Sequence, residues 1–421
     1  MKLELCMKIA HILKMMAHGN LYTCTFLGLL LVGEQAKFKK ILLLNAVLVC
    51  QKNLKFKEHR MYFGLSEEQS FFKDNVKKYL EDNAALDQIR EIASGDEASI
   101  SKEIHQGFLN LGVNGLLIPE EFGGLGLDLL FAAVVSESLG ACVGPVPYIA
   151  PYVMAPAAII AGGSPTQKEN YLTKIASNEI LVGVGFSEFI GSRNDAGLTF
   201  ADGVLKGRTM FVMDAQVATH FLLADKLGQM FMLDAKAPGV EIISLTTVDK
   251  TRQYAEIICK DVPADLLELS SLSTDPISRS IDAGRIMLAA DTLGASQTMI
   301  DQAVDYSKER KQFGRAIGSF QAVKHMCAEM VADLEPCYAL VWHAAHCHDS
   351  SPDEAKLMAC HAKAHVSEMG KGIAKKATEV HGGMGFTDLL GLHYWFKRIG
   401  VNRQMLGSPE QVREEAMESQ L

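Results

Sequence analysis

Glu309-Arg310-Lys311-Gln312-Phe313-Gly314-Arg315-Ala316-Ile317-Gly318-Ser319-Phe320-Gln321, running on to Lys324-His325, decides how the rest of the chain is read. The stretch describes a helix that stops, turns at Gly314 and restarts after Gly318. Upstream, Ile286, Leu293, Ile300 and Ala303 recur at helical spacing, and Asp275-Pro276 supplies a cap and a first-turn residue. Arg310, Lys311 and Arg315 put three cations at the break. A guanidinium beside a backbone turn suits a diphosphate, because its fork engages two oxygens at once. On charge alone, a solvated basic loop between two helices is the plainer reading.

The whole string carries more than its charge. Arg-Lys-Gln-Phe-Gly followed by Phe-Gln-Ala-Val-Lys-His resembles the hallmark of the acyl-CoA dehydrogenase family. In that family the segment grips the FAD of a neighbouring subunit, so the resemblance implies Arg310, Phe313 and Gln321 as cofactor contacts made in trans. Further on stands Val380-His381-Gly382-Gly383-Met384-Gly385-Phe386-Thr387. Two adjacent glycines let a ligand approach the backbone, and a tight helix–helix turn explains them equally well. In the family such a turn touches the adenosine half of a neighbour's FAD, which adds Gly382 and Gly383 to the implied set. Glu379 replaces the family's usual Gln, which weakens one expected contact.

The chain has 421 residues, enough for a substantial core and two or three domains. With 22% charged and 48% hydrophobic residues it reads as soluble and globular. A net charge of -9 without a long basic stripe argues against a nucleic-acid partner. Nine scattered cysteines form no CxxC pair and read as reduced, mostly buried thiols, which implies a cytoplasmic protein. His343, His346 and His348 lie close together, and His361 and His365 share a helical face. Without an HExxH, a cysteine pair or a carboxylate ligand beside them, no metal is expected.

Residues 1–60 differ in character from the rest of the chain. Their apolar runs, Phe26–Val32 and Ile41–Cys50, are at most about half the ~20 residues that span a bilayer, so no integral membrane span is expected. Dispersed charges and the lack of a small-residue cleavage site argue against a signal peptide. Met61-Tyr-Phe-Gly-Leu-Ser-Glu-Glu-Gln resembles the usual beginning of a chain of this family, which makes residues 1–60 an extension or the product of a misplaced start.

From Ser66 the pattern is helical. Ser66 and Gln69 form a capping box ahead of Phe71, Phe72, Val76 and Tyr79. Helices are expected around Ile104–Leu111, Ala132–Gly140 and Thr166–Ala176. Between them, Pro119-Glu-Glu-Phe-Gly-Gly-Leu-Gly126 lacks the spacing of a nucleotide fingerprint and resembles a turn of the same family. Short apolar runs then alternate with turns: Leu181–Phe186, Leu205–Met213, Thr219–Ala224, Met230–Leu233, Val240–Leu245 and Tyr254–Val262. They read as a compact antiparallel β domain. Long helices follow at about Ala322–Asp349 and Asp353–Glu379. The fold class is α+β: a helical domain over 61–180, a β domain over 181–270 and a C-terminal four-helix bundle over 271–421, which matches the family architecture.

The family removes the α-proton of an acyl-CoA thioester with a Glu while the β-hydrogen leaves as hydride to the flavin. That Glu stands at one of two places, and the matching positions here hold Leu406 and Gly284, neither able to take a proton. Asp291 lies seven residues beyond Gly284, on nearly the same helix face but about 10 Å further along, and is a weaker candidate, with Glu410 weaker still. The own-subunit flavin strands have also drifted. Phe186-Ser187-Glu188-Phe189 stands for a Leu-Thr-Glu-Pro strand, and in Met210–Asp214, Phe211 replaces Trp while Met213 lacks the usual hydroxyl. Contacts made in trans therefore survive better than those made in cis, as in one subunit of the family's heteromeric enzymes. Leu392-His-Tyr-Trp-Phe-Lys-Arg398 also resembles that bacterial subgroup. The implied partners are an acyl-CoA substrate, a paralogous acyl-CoA dehydrogenase subunit and an electron-transfer flavoprotein as acceptor. A self-sufficient homotetramer with an unrecognised base and a non-enzymatic acyl-CoA-binding scaffold remain the alternatives.

Overall fold

The computed structural model describes residues 64–95, 100–191, 197–268 and 275–420. The expectations about residues 1–60 lie outside them. The helices are α1 Glu67–Asn83, α2 Leu86–Ala93, α3 Lys102–Leu109, α4 Leu129–Cys142, α5 Ala155–Gly162, α6 Pro165–Ala176, α7 Pro276–Glu309, α8 Gln321–Ser350, α9 Pro352–His381, α10 Leu392–Gln404 and α11 Pro409–Glu418. A π-helical segment, Ile149–Met154, leads directly into α5. The capping box at α1 forms as expected: Gln69 N–H donates to Ser66 Oγ at 3.1 Å and Ser66 N–H to Gln69 Oε1 at 2.9 Å. The short helix α2 is an element that the sequence pattern does not announce.

Helix α7 is the axis of this unit. Its 34 residues start from Asp275, whose side chain accepts from Ile277 N–H, with Pro276 in the first turn. At 1.5 Å per residue it is about 51 Å long. Every residue from Ser280 to Ser296 is buried. Apart from Asp282, Arg285 and Asp291 this stretch is apolar or small, so the helix is enclosed on all sides, and α4, α5, α8, α9 and α10 all pack on it. Glycines set the closest of these crossings. A Cβ on Gly140 of α4 would lie 1.9 Å from Asp291 O, and one on Gly294 of α7 would lie 1.8 Å from Glu137 O. The two backbones therefore touch only because both positions lack a side chain.

The β domain is one sheet in the order β6-β7-β3-β1-β4-β5-β8, with β2 paired to β3. Its strands are β1 Val182–Gly185, β2 Gly197–Ala201, β3 Val204–Met213, β4 His220–Ala224, β5 Met230–Asp234, β6 Val240–Leu245, β7 Tyr254–Pro263 and β8 Asp265–Leu266. The six expected runs became β1, β3, β4, β5, β6 and β7, while β2 and β8 were not foreseen. One pairing corrects the antiparallel expectation: β1 and β4 run parallel, with Val182 opposite His220 and Gly185 opposite Leu223. The intervening β2–β3 hairpin forms the crossover that parallel neighbours require. Leu205, Val212, Phe221, Phe231, Ala255 and Ile257 form the core of the sheet.

A buried charge network joins the sheet to the helices. Asp291 of α7 accepts from Arg252 Nη2 at 2.6 Å, Arg398 Nη1 at 3.1 Å and Asn402 Nδ2 at 2.6 Å, and is fully buried. Arg398 of α10 also reaches Asp249 at 2.9 Å and donates to Gly144 O at 3.1 Å. Burial alone would raise the Asp291 carboxyl, yet the two guanidiniums and Asn402 hold it below the usual carboxylate range. Replacing Asp291 with Ala would leave two buried guanidiniums short of a counter-ion. We expect Asp291→Ala to lose about 3–5 kcal/mol of stability in a denaturant titration, and a loss under ~1 kcal/mol would show that the network does not hold the elements together.

Candidate active site

Gly284 lies in the third turn of α7 and Leu406 in the turn after α10, and the fold brings them together. A Cβ on Gly284 would lie 2.5 Å from Leu406 Cδ1 and 2.7 Å from Met154 Sδ. The two positions at which the sequence resemblance seeks a base are thus one place in space, and an aliphatic chain and a thioether fill it. Leu406 is buried in a left-handed conformation at φ 57°, which is costly for a residue with a branched side chain. Two buried basic side chains hold that turn. Arg285 donates from Nε to Leu406 O at 2.9 Å and forks onto Glu415 at 2.8 and 2.9 Å. Lys363 donates from Nζ to Asn402 O and, at 3.0 Å, to Arg403 O, the free carbonyls at the end of α10. Burial, followed by the Arg285 and Arg403 charges, pushes the Lys363 ammonium well below its ordinary range.

The substitute carboxylates are otherwise engaged. Asp291, the weaker candidate, belongs to the buried charge network, its oxygens engaged by Arg252, Arg398 and Asn402. Glu410 is exposed and pairs with Arg403 at 2.8 Å. Its own backbone amide, Ser408 and Arg403 hold it below the usual range. A third acid was not singled out in the sequence. Asp214, just past β3, is buried at φ 57°, and burial pushes its carboxyl up to about 7 against the opposing pull of Arg252 and Arg398. The elements expected beside a flavin ring are largely paired within the chain. Glu188 accepts from Thr209 Oγ1 and from Met210 N–H, the latter at 3.0 Å, and Gln411 Nε2 donates to Ile190 O. Met213 is buried. Phe211 sits at φ 55° in a bulge of β3 opposite β7 and is 37% exposed.

The other implied residues lie at the opposite end of α7. Arg310 is 26 residues beyond Gly284, about 39 Å along a helix axis. Here the break contains an element not expected, a hairpin of β9 Lys311–Gln312 and β10 Arg315–Ala316. Phe313 and Gly314 form its two-residue turn at φ 52° and 77°, the left-handed pair that a tight hairpin requires. Phe313 is 91% exposed at the tip. Arg310 and Gln321 are also exposed, and Arg315 lies 4.0 Å from the centre of the Phe320 ring. The end of α9 reaches the same place, because Tyr306 of α7 packs on His381 with ring centres 4.6 Å apart. Gly382 and Gly383 come next, exposed, and a Cβ on either would meet nothing within 4 Å. A guanidinium, an amide and two open glycines are groups that could hold the diphosphate and adenosine of a dinucleotide. Glu379 is exposed beside them.

The known acyl-CoA dehydrogenase N-terminal domain matches residues 66–179, and the acyl-CoA dehydrogenase C-terminal domain matches residues 275–421. The chain belongs to the acyl-CoA dehydrogenase family. Its members are FAD-dependent oxidoreductases that act on acyl-CoA. Among similar proteins, the probable acyl-CoA dehydrogenase YngJ of Bacillus subtilis is 28% identical over 368 residues, which cover 82% of this chain and 93% of that one. Acyl-CoA dehydrogenase IpdE2 of Mycolicibacterium smegmatis is 29% identical over 359 residues, covering 83% and 98%. A solved steroid ACAD, Tcur3481-Tcur3483, superposes with a TM-score of 0.75 at 25% identity, over 84% of this chain and 97% of that one. No helix among the described residues is long and apolar enough to cross a membrane.

The contact between the two base positions is testable without any ligand. Gly284→Ala should be destabilising alone and less so beside Leu406→Ala, with a coupling of about 1 kcal/mol or more in a double-mutant cycle. Additive effects would place the residues apart. Asp214 makes a second test. A raised carboxyl keeps in the fold a proton that the unfolded chain has lost, so its contribution is intact below about pH 4 and is lost as pH rises to about 7. Asp214→Asn should therefore gain on the parent in melting temperature between pH 5 and pH 8. An unchanged difference at the two pH values would contradict the assignment.

Proposed function

We propose that this chain is the base-lacking subunit of a heteromeric acyl-CoA dehydrogenase, working with a paralogue that carries the catalytic Glu and the flavin ring site. The observation that carries this reading is the contact of Gly284 with Leu406. Both base positions converge, and the site contains aliphatic carbon and sulfur in place of a carboxylate. The hairpin end supports the same reading. Arg310, about 39 Å from that site along α7, faces outward with Phe313, Gln321, Gly382 and Gly383, open to a neighbour.

FAD, when bound, supplies the hydride acceptor for the 2,3-dehydrogenation of the acyl-CoA. Arg310 binds the diphosphate oxygens, Phe313 packs against the cofactor, and the open backbone at Gly382 and Gly383 admits the adenosine half. The Leu406 side of this chain moves no proton. The steroid ACAD similar to this chain is named as a pair, Tcur3481-Tcur3483; that favours a bulky acyl group and a paired assembly here as well. An electron-transfer flavoprotein is the proposed acceptor.

Flavin content by absorbance tests the proposal. The chain purified alone should hold little flavin, and the chain co-expressed with a paralogue should hold about one per heterodimer. One flavin per chain in the lone protein overturns the reading. Leu406→Glu should leave the lone protein without turnover, because the ring-side contacts of this chain remain altered; full activity in that variant would equally refute it.

A further inference from the structure

We infer that His343, Cys347 and Glu354 form a binding site for a zinc-class divalent cation where α8 turns into α9. His343 and Cys347 are four residues apart on α8, so their side chains leave one face of the helix. Glu354 enters from the first turn of α9. Only Ser351 separates the two helices, which fixes the third residue opposite the first two. Cys347 Sγ lies 3.5 Å from His343 Nε2 and 4.0 Å from Glu354 Oε2, and the three donor atoms all lie within 4.8 Å of one another.

These separations approach those of a coordination shell. A tetrahedral zinc with bonds of about 2.3 Å to sulfur and about 2.0–2.1 Å to nitrogen holds the two donors about 3.5–3.6 Å apart. The Sγ–Nε2 separation has that length, and because Sγ also lies 3.8 Å from Nδ1 the imidazole must rotate to aim Nε2 at the ion. The carboxylate needs to close by about half an ångström on the sulfur and by up to about 1.4 Å on the imidazole nitrogen, and as an exposed side chain it has room to rotate inward. Nitrogen and sulfur donors select zinc or cobalt over magnesium or calcium. Cys347 is 1% exposed and forms the floor of the site, while Glu354 leaves the fourth position towards solvent. On binding, the thiol proton passes to solvent and the thiolate, imidazole and carboxylate share the cation. The ion then clips α8 to α9. His348, one residue away, does not take part: its ring nitrogens face Asp349 at 3.0 Å and Arg279 O at 3.1 Å. The expectation of no metal rests on the lack of an HExxH, a cysteine pair or a carboxylate beside the histidines, whereas the fold brings the Glu354 carboxylate to His343 and Cys347 across a turn.

Cobalt titration of the chelator-treated full chain under reducing conditions tests this inference. One equivalent of Co²⁺ should bind and produce a thiolate-to-cobalt charge-transfer band. Zn²⁺ should abolish the band and raise the melting temperature. Cys347→Ala should lose the band. Because that side chain is buried, the surface variants His343→Gln and Glu354→Gln are the safer test, and each should weaken Co²⁺ binding at least ~10-fold with an unchanged fold by circular dichroism. Absence of the band in the parent protein, or equal Co²⁺ affinity in the parent and both surface variants, would overturn the site. Neither outcome depends on flavin or on a partner subunit.

Discussion

Asp291 is the charge around which the helices and the sheet are arranged. It sits at the centre of α7 with no exposure to solvent, and its counter-ions come from two other parts of the chain, Arg252 at the entry to β7 and Arg398 on α10. Removing so many charges from water is expensive unless each is matched. Asp249 and Asp291 balance Arg252 and Arg398, and Asp214, which keeps its proton to about pH 7, adds little further charge. Such a group has one satisfactory arrangement, so it fixes how the sheet sits on the bundle more sharply than apolar packing does. Hydrophobic surfaces slide, but a buried guanidinium between two carboxylates does not.

The same logic explains why the turn at Leu406 persists. A leucine gains nothing from a left-handed backbone, and the glycine after it, Gly407, adopts φ 103°. The conformation is imposed from below by Arg285 on the Leu406 carbonyl and by Lys363 on the last carbonyls of α10. The backbone of the site is therefore held independently of the side chain it displays. Its chemistry can change while its geometry does not.

Local rules in the sequence carry far, and their limits are physical. The capping box at Ser66, the cap at Asp275 and the extents of α7, α8 and α9 depend on neighbours a few residues apart, and all are legible. So are six strands, because alternation and turn residues are local. The parallel register of β1 with β4 is not, since it depends on where a crossover lands. Strands β9 and β10 are two residues each, too short to leave a period. Asp291 reads as a weak base because helical spacing puts it near the face of Gly284. What decides its role lies 39 and 107 residues away in sequence, at Arg252 and Arg398. The meeting of Gly284 with Leu406 arises from no periodicity at all; only the family resemblance aligns the two, and only the fold shows them touching.

Helix α7 separates the Gly284–Leu406 contact from the exposed hairpin by most of its length, and on the proposed function this has an evolutionary consequence. One end faces a base position within the chain, and the other presents a hairpin outward. A rigid rod transmits little strain from end to end, so substitutions at one terminus are nearly invisible to folding at the other. On the proposed reading, selection after gene duplication can therefore relax at the Leu406 end of one copy while preserving its outward end. Specialised subunits are an accessible outcome of this architecture because the two ends, though built on one core, lie most of a helix apart.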